Sequence, residues 1–460
     1  MEAIPKIVPP NFIWSPPASR VHCRLGTDTT LVGKLVSSIS LAGLCRYKLR
    51  RDGNFQSGVA QPHRNPFHRA SSKHLDCVVT QCLRPAVFRA SRRDLIRMGI
   101  LGSLAAPVAR AETFAHNFIV RSARPQDLET PVAAFTEELT PTDVFFVRSH
   151  FGPPIIEASS WRLRVEGMVE RPLALSMSEL RKIGAASRPA VLQCAGNGRA
   201  LFRPRVAGAQ WERGAVGQAL WQGVRLADLL DRSHAASSAR FVTFIPGDHP
   251  MAPTVPKFLR SIPIEKARQD VLLAWNMNSA PLSILHGAPL RAVVPGWAGD
   301  HWIKWLRGIR VSDAEDSGFY MQTGYKFPTE PIPPGGKPGK MQTLTAIPVK
   351  SLIARPLEGG VLSAGPQVIQ GVAFGGTGPI TRLEVSHDDG ASWQEARLDA
   401  MRVFGAWQRW KYSWRAEPGM HVLRARATDS AGAIQPRKPQ WNPGGYLYNA
   451  WDSVRCEVRT

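Results

Sequence analysis

Residues 189–199 read Pro189-Ala-Val-Leu-Gln-Cys194-Ala-Gly-Asn-Gly-Arg199, an apolar run ended by a thiol and two glycines. A short apolar run bounded by turn residues predicts a buried strand, and Gly196 and Gly198 predict a tight turn after it. Glycine accepts the backbone angles of such a turn and lets the chain approach a ligand closely. The pattern puts the Cys194 thiol at a strand end, on the rim of a turn. Arg199, five residues on, favours the thiolate if the two side chains meet. Taken alone, a lone buried cysteine reads more readily as a small hydrophobe than as a ligand.

Working outward, Trp161-Arg-Leu-Arg-Val-Glu-Gly167 alternates apolar and polar residues and predicts a half-buried strand. Ser176-Met-Ser-Glu179 has capping-box spacing and predicts a short helix. Residues 327–345 are rich in Pro and Gly, the composition of a linker or an extended surface segment. Beyond them the pattern turns to short strands. Ile380–Ser386 alternates, Asp389-Gly390 signals a hairpin, and Leu423, Ala425 and Ala427 alternate with arginines. Trp407, Trp410 and Trp414 supply core bulk. This part predicts a small antiparallel sandwich of immunoglobulin type.

Bulk composition removes several classes. The 460 residues are 43% hydrophobic and 20% charged, ordinary for a globular chain of two or three domains. The net charge is +22, but residues 1–111 hold 17 Lys/Arg against 5 Asp/Glu, over half of the excess. The rest is scattered, without the basic run that tracks a phosphate backbone, so nucleic acid is not an expected partner. A mildly basic body suits an anionic substrate or an acidic partner, and equally plain solubility. Cys23, Cys45, Cys77 and Cys82 lie early; Cys194 and Cys456 fall in what read as different domains, so no bridge is expected between them. No C-x-x-C-H run offers a covalent haem site, and the 77–82 pair has no zinc-site company.

Residues 91–111 place Arg92 and Arg93 before a short apolar stretch, Met98–Val108, and an Ala-Arg-Ala end. The stretch is too short to span a bilayer. It resembles a twin-arginine export signal, which implies a periplasmic protein exported already folded. Residues 1–90 are read as a disordered leader or as the product of a start placed too early.

The wider set of segments settles the reading of Cys194. Val191-Leu-Gln-Cys-Ala-Gly-Asn-Gly-Arg199 strongly resembles the cofactor loop of sulfite oxidases. Phe145-Phe-Val-Arg-Ser-His150 resembles that family's substrate-side segment. Trp211, Gly214-Ala-Val-Gly217 and Trp221-Gln-Gly-Val-Arg-Leu226 continue the likeness. So do Asp270–Asn278, His286-Gly-Ala-Pro-Leu-Arg291, Val293-Val-Pro-Gly296 and Ile303-Lys-Trp-Leu306. The likeness runs over roughly 130–460. Four departures stand out: Ser149 for an expected Asn, Gly198 where animal members carry Arg, Trp275 for Tyr, and the unusual Gly-Asp-His-Trp at 299–302.

The resemblance implies an α+β fold. A mixed α/β molybdopterin domain of the sulfite oxidase type would occupy 112–335, and an immunoglobulin-like β-sandwich that mediates a homodimer would occupy 345–460. It implies a molybdenum-molybdopterin cofactor with Cys194 as the protein's thiolate ligand, the soft anionic donor such a metal favours. Arg148 and Arg199 match anion-binding arginines, whose planar donor fork suits sulfite or a related small sulfur anion. Trp211 matches a wall of that pocket and Tyr325 the tyrosine beside the metal. His150, His286, Arg291, Lys304 and the backbone of Trp302 and Ile303 match pterin-binding positions. Asp248, in Gly-Asp-His-Pro, is added as a loop donor or acceptor. The implied reaction is oxidation of sulfite to sulfate. The implied electron acceptor is a separate protein, cytochrome c or a haem subunit. The alternative is the molybdenum subunit of a sulfane dehydrogenase acting on carrier-bound sulfur.

Overall fold

The computed structural model describes residues 118–400 and 403–460, with a small hairpin pairing Lys48–Arg51 and Asn54–Ser57. The expected leader, the twin-arginine segment and the four early cysteines otherwise lie outside the described residues.

The alternation that begins at Trp161 forms the strand Leu163–Gly167. Trp161, Leu163 and Val165 turn inward at 0–1% exposure, while Arg162, Arg164 and Glu166 face out. This strand pairs in parallel with Leu306–Ser312, which continues antiparallel to Phe241–Pro246 and then Arg260–Pro263. The expected capping box closes in both directions. Ser176 N–H donates to the Glu179 carboxylate at 2.8 Å, and Glu179 N–H donates to Ser176 Oγ at 3.3 Å. It starts the helix Met177–Ile183, whose Leu180 is buried.

A second sheet carries the decisive stretch. Ala186–Gln193 pairs with Val216–Arg225, which pairs with Leu272–Met277, itself flanked by Arg291–Val293. Residues 190–193 are all buried, so the apolar run is an interior strand that ends at Cys194. One large apolar core joins both sheets.

The C-terminal part is two sheets. Lys350–Arg355, Gly365–Phe374, Gln408–Ala416 and Arg397–Leu398 form one; Gly360–Ser363, Asp452–Arg459, Gly419–Asp429, Ile380–Ser386 and Gln394–Glu395 form the other. Trp410 and Trp414 from the first meet Leu423, Ala425, Ala427 and Val454 from the second in a shared core. Asp389 and Gly390 both take positive φ, 60° and 92°, as the hairpin signal requires.

One expectation needs revising. The described α-helices are short: Met177–Ile183, Leu226–Arg232, Ile264–Gln269 and Phe319–Gln322. The fold is mostly β, leaner in helix than the α+β reading implies. Of the two readings of the Pro/Gly-rich 327–345 segment, the extended surface segment fits: residues 329–340 are mostly exposed and lie outside helices and strands. Its ends close on each other, Lys326–Pro328 pairing with Met341–Thr343. A third core then crosses the expected domain boundary, with Val191, Ala195 and Val216 packed beside Leu352, Phe374 and Trp407.

Candidate active site

The turn after Gln193 is built by Asn197, which is fully buried. Its side chain donates to Gln193 Oε1 at 3.2 Å and accepts from Ala215 N–H at 3.1 Å. Gly198 sits at φ 92°, and a Cβ there would lie 2.6 Å from the Tyr448 side chain. Only glycine fits, which accounts for its departure from the arginine of animal members. The result presents Cys194 at the wall of a cavity of about 730 Å³ including its open mouth.

Ten of the twelve expected site residues line that cavity: Arg148, His150, Cys194, Asp248, His286, Arg291, Trp302, Ile303, Lys304 and Tyr325. Burial pushes the Cys194 thiol up, and Arg199 and the Gly196 N–H pull the other way. Arg148 pairs with Asp127 at 3.3 Å. The Tyr325 hydroxyl lies 2.9 Å from His150 Nε2. Burial, with Arg148 and Lys304 nearby, lowers His150 to about 3, so the ring is neutral and can accept that hydroxyl.

Part of the lining is cationic. Lys304 donates to Ser149 Oγ at 2.8 Å and to Leu285 O at 2.9 Å. The Ser149 departure thus keeps a hydrogen-bonding partner for this lysine. Arg291 donates to His286 O at 2.9 Å and Trp302 O at 3.2 Å, with its guanidinium carbon 4.9 Å from the Trp221 ring centre. Burial lowers Arg291 to about 9 and holds Lys304 well below the usual lysine range. His286, hydrogen-bonded to Thr142 O, is lowered to about 4, mainly by burial. Burial raises Asp248 while Lys304 opposes it.

Arg199 and Trp211 do not line the cavity. Arg199 is 8% exposed and donates to Gly444 O at 3.1 Å and Ala209 O at 3.0 Å. Trp211 is fully buried, edge-on to Phe146, which itself lines the cavity. Both stand one layer behind the wall.

Sequence reading missed several neighbours. Phe258 lines the cavity and stacks on His150 with centroids 4.0 Å apart. Asp300, also in the wall, pairs with fully buried Arg260 at 2.8 Å, and Arg260 reaches His301 Nε2 at 3.1 Å. The unusual Gly-Asp-His-Trp run was the one available hint. Tyr446 of the C-terminal part stacks on Tyr325, centroids 5.3 Å apart.

The donor set fits a large anionic cofactor that brings its own metal. Arg291 is a buried cation and Lys304 a half-buried one opposed only by Asp248 and Asp127, and the Arg291 Nε has no partner. Taking cations out of water without an anion is costly, so this wall is suited to a phosphate-bearing group. Among the described residues no cluster of three or more His, Cys, Asp or Glu could hold a metal ion alone. One thiol beside the cationic wall matches a metal held mainly by its cofactor.

Comparison with known proteins agrees. Residues 150–320 match the oxidoreductase molybdopterin binding domain, and 341–459 the Mo-co oxidoreductase dimerisation domain. The chain is 31% identical to sulfite oxidase of Arabidopsis thaliana over 73% of its own length and 92% of that protein's. It is 32% identical to mitochondrial sulfite oxidase of Mus musculus over 74% of its length, and spans 65% of the mouse protein. The crystal structure of the sulfane dehydrogenase from Paracoccus pantotrophus superposes with a TM-score of 0.65 at 26% identity, covering 78% of this chain and 96% of that one. With its thiol, cationic wall and matching domains, the chain belongs to the sulfite oxidase family of molybdopterin-binding oxidoreductases, whose cofactor is molybdenum-molybdopterin.

Proposed function

We propose that this chain oxidises sulfite to sulfate and hands the electrons to a separate acceptor protein. The observation that carries the reading is one cavity holding the Cys194 thiol, the Arg148 guanidinium and the Tyr325–His150 pair. When bound, the molybdenum cofactor supplies the two-electron redox chemistry. Cys194 is its protein ligand. Lys304, Arg291 and His286 hold its polar and phosphate groups, with backbone groups of Trp302 and Ile303 beside them and Asp248 at the rim.

Arg148 binds and orients the anion, since a guanidinium stays charged and offers paired donors. Arg199 adds positive potential from behind the wall, and Trp211 keeps Phe146 in place. Sulfite plus water gives sulfate, protons and electrons, so the site must also handle protons. The Tyr325 hydroxyl can donate to an oxygen at the reacting centre when neutral His150 carries its proton on Nε2 and donates to the phenol oxygen.

The finer readings belong with this proposal: an immunoglobulin-type topology for the sandwich, a homodimer formed through it, export to the periplasm, and cytochrome c or a haem subunit as acceptor. Among the described residues no helix is long and apolar enough to cross a membrane. The likeness to the sulfane dehydrogenase keeps a second reading in view, oxidation of sulfane sulfur on a carrier protein. Steady-state assays with sulfite and with a persulfide-bearing protein separate them. Sulfite turnover that saturates at micromolar to millimolar concentration supports the first; turnover with the protein-bound sulfur alone replaces it by the second.

A further inference from the structure

The C-terminal part sends a strap back over the catalytic turn. Asn442, fully buried, shapes it: its amide donates to Tyr446 O and its carbonyl accepts from Tyr446 N–H, both at 2.9 Å. The strap then binds the turn itself, Leu447 N–H donating to Ala195 O at 2.8 Å, one residue from Cys194.

Arg199 is the residue this strap grips. Its Nε donates to Gly444 O, and its guanidinium carbon lies 5.3 Å from the Tyr446 ring centre. Glycines leave it room. A Cβ on Gly196 would sit 2.7 Å from the guanidinium, and one on Gly445 2.8 Å from Arg199 Cγ. The same Tyr446 ring lies nearly parallel to Tyr325, 15° between planes. One aromatic ring therefore contacts both a cation behind the anion site and the phenol inside the cavity.

We propose that Tyr446 is a positioning residue of the redox site, fixing the Arg199 guanidinium and the Tyr325 ring beside Cys194. The C-terminal part is then a working wall of the site as well as a packing partner. A ring face attracts a guanidinium, and a stacked ring limits how Tyr325 can tilt. Without the ring, Arg199 keeps its carbonyl contacts but loses its orientation, and the anion feels it first.

This rests on the sulfite reading, so the test pairs turnover with sulfate binding measured by calorimetry on the holoenzyme. Tyr446→Leu is expected to raise the sulfite KM and weaken sulfate binding by about tenfold, with a smaller change in kcat. Tyr446→Phe, which keeps the ring, is expected to recover most of that loss. Arg199→Lys combined with Tyr446→Leu is expected to be no worse than Arg199→Lys alone, because both act through one group. Unchanged KM and sulfate binding in Tyr446→Leu overturns the proposal, as do effects that simply multiply in the double variant. If the Leu variant does not fold, Tyr446→Met is judged by the same criteria. Wild-type protein that binds sulfate but does not oxidise sulfite sinks the functional reading alone, and the binding comparison still decides this one. A wild type that neither binds sulfate nor oxidises sulfite overturns both.

Discussion

The Tyr325 hydroxyl and His150 Nε2 lie 2.9 Å apart, joining segments 175 residues distant in sequence at the wall of one cavity. His150 is held neutral there, its pKa lowered to about 3 by burial and the nearby cations. The unfolded chain takes up this proton near pH 6.5, whereas the folded one resists it. Stability is therefore full above about pH 6.5 and falls as pH drops toward 3. For the cofactor-free protein the His150 contribution is on the order of 2 kcal/mol by pH 5. Urea unfolding at pH 7 and pH 5 checks it. His150→Gln is expected to lose less stability between the two than the wild type, and equal losses contradict the assignment.

Cys194→Ser is expected to leave the fold intact and end turnover. The side chain is close in size, and its neighbours Ala195 and Leu192 are packed into apolar cores. The oxygen is a poor substitute for the thiolate at such a metal. Circular dichroism and melting should match the wild type, while sulfite oxidation disappears. Retained turnover would remove Cys194 from the metal.

Much of this was legible in the sequence because it depended on local chemistry. The strand before Cys194, the capping box at Ser176 and the Asp389-Gly390 hairpin follow from patterns within a few residues. The cofactor wall was legible only through family order, since nothing local brings Lys304 to Ser149. Tyr446, Arg260 and Phe258 were missed because their roles arise from contacts distant in sequence. Tyr446 in particular sits beside Tyr325 only once the strap folds back. The 327–345 segment was legible as an extended surface stretch, but Pro and Gly do not say whether its two ends pair.

Lys304→Met should barely affect the empty protein and strongly affect cofactor loading. Lys304 is a half-buried cation whose charged form the loss of water disfavours. Replacing it by an apolar chain of similar length is expected to change cofactor-free stability by no more than about 1 kcal/mol. Cofactor content after purification is expected to fall about tenfold or more. Pterin fluorescence of the denatured protein and metal analysis give the content. Full occupancy would place the phosphate elsewhere.

Trp407→Ala tests the core shared across the expected domain boundary. Trp407 is 5% exposed, packs edge-on against Phe135 at 5.6 Å and donates to Glu138 O at 2.9 Å. Its loss is expected to destabilise by about 3–5 kcal/mol, the range for removing a large buried aromatic. Calorimetry should then show the two parts unfolding in separate steps. A single transition at the wild-type temperature would mean that this core does not couple them.

The most direct measurement is sulfite-dependent reduction of ferricyanide and of cytochrome c by the purified protein, with molybdenum assayed on the same sample. The expected result is one molybdenum per chain with rapid reduction of both acceptors. Full molybdenum loading with no sulfite turnover contradicts the sulfite assignment and moves the substrate to another sulfur species, while molybdenum-free protein contradicts the role assigned to Cys194.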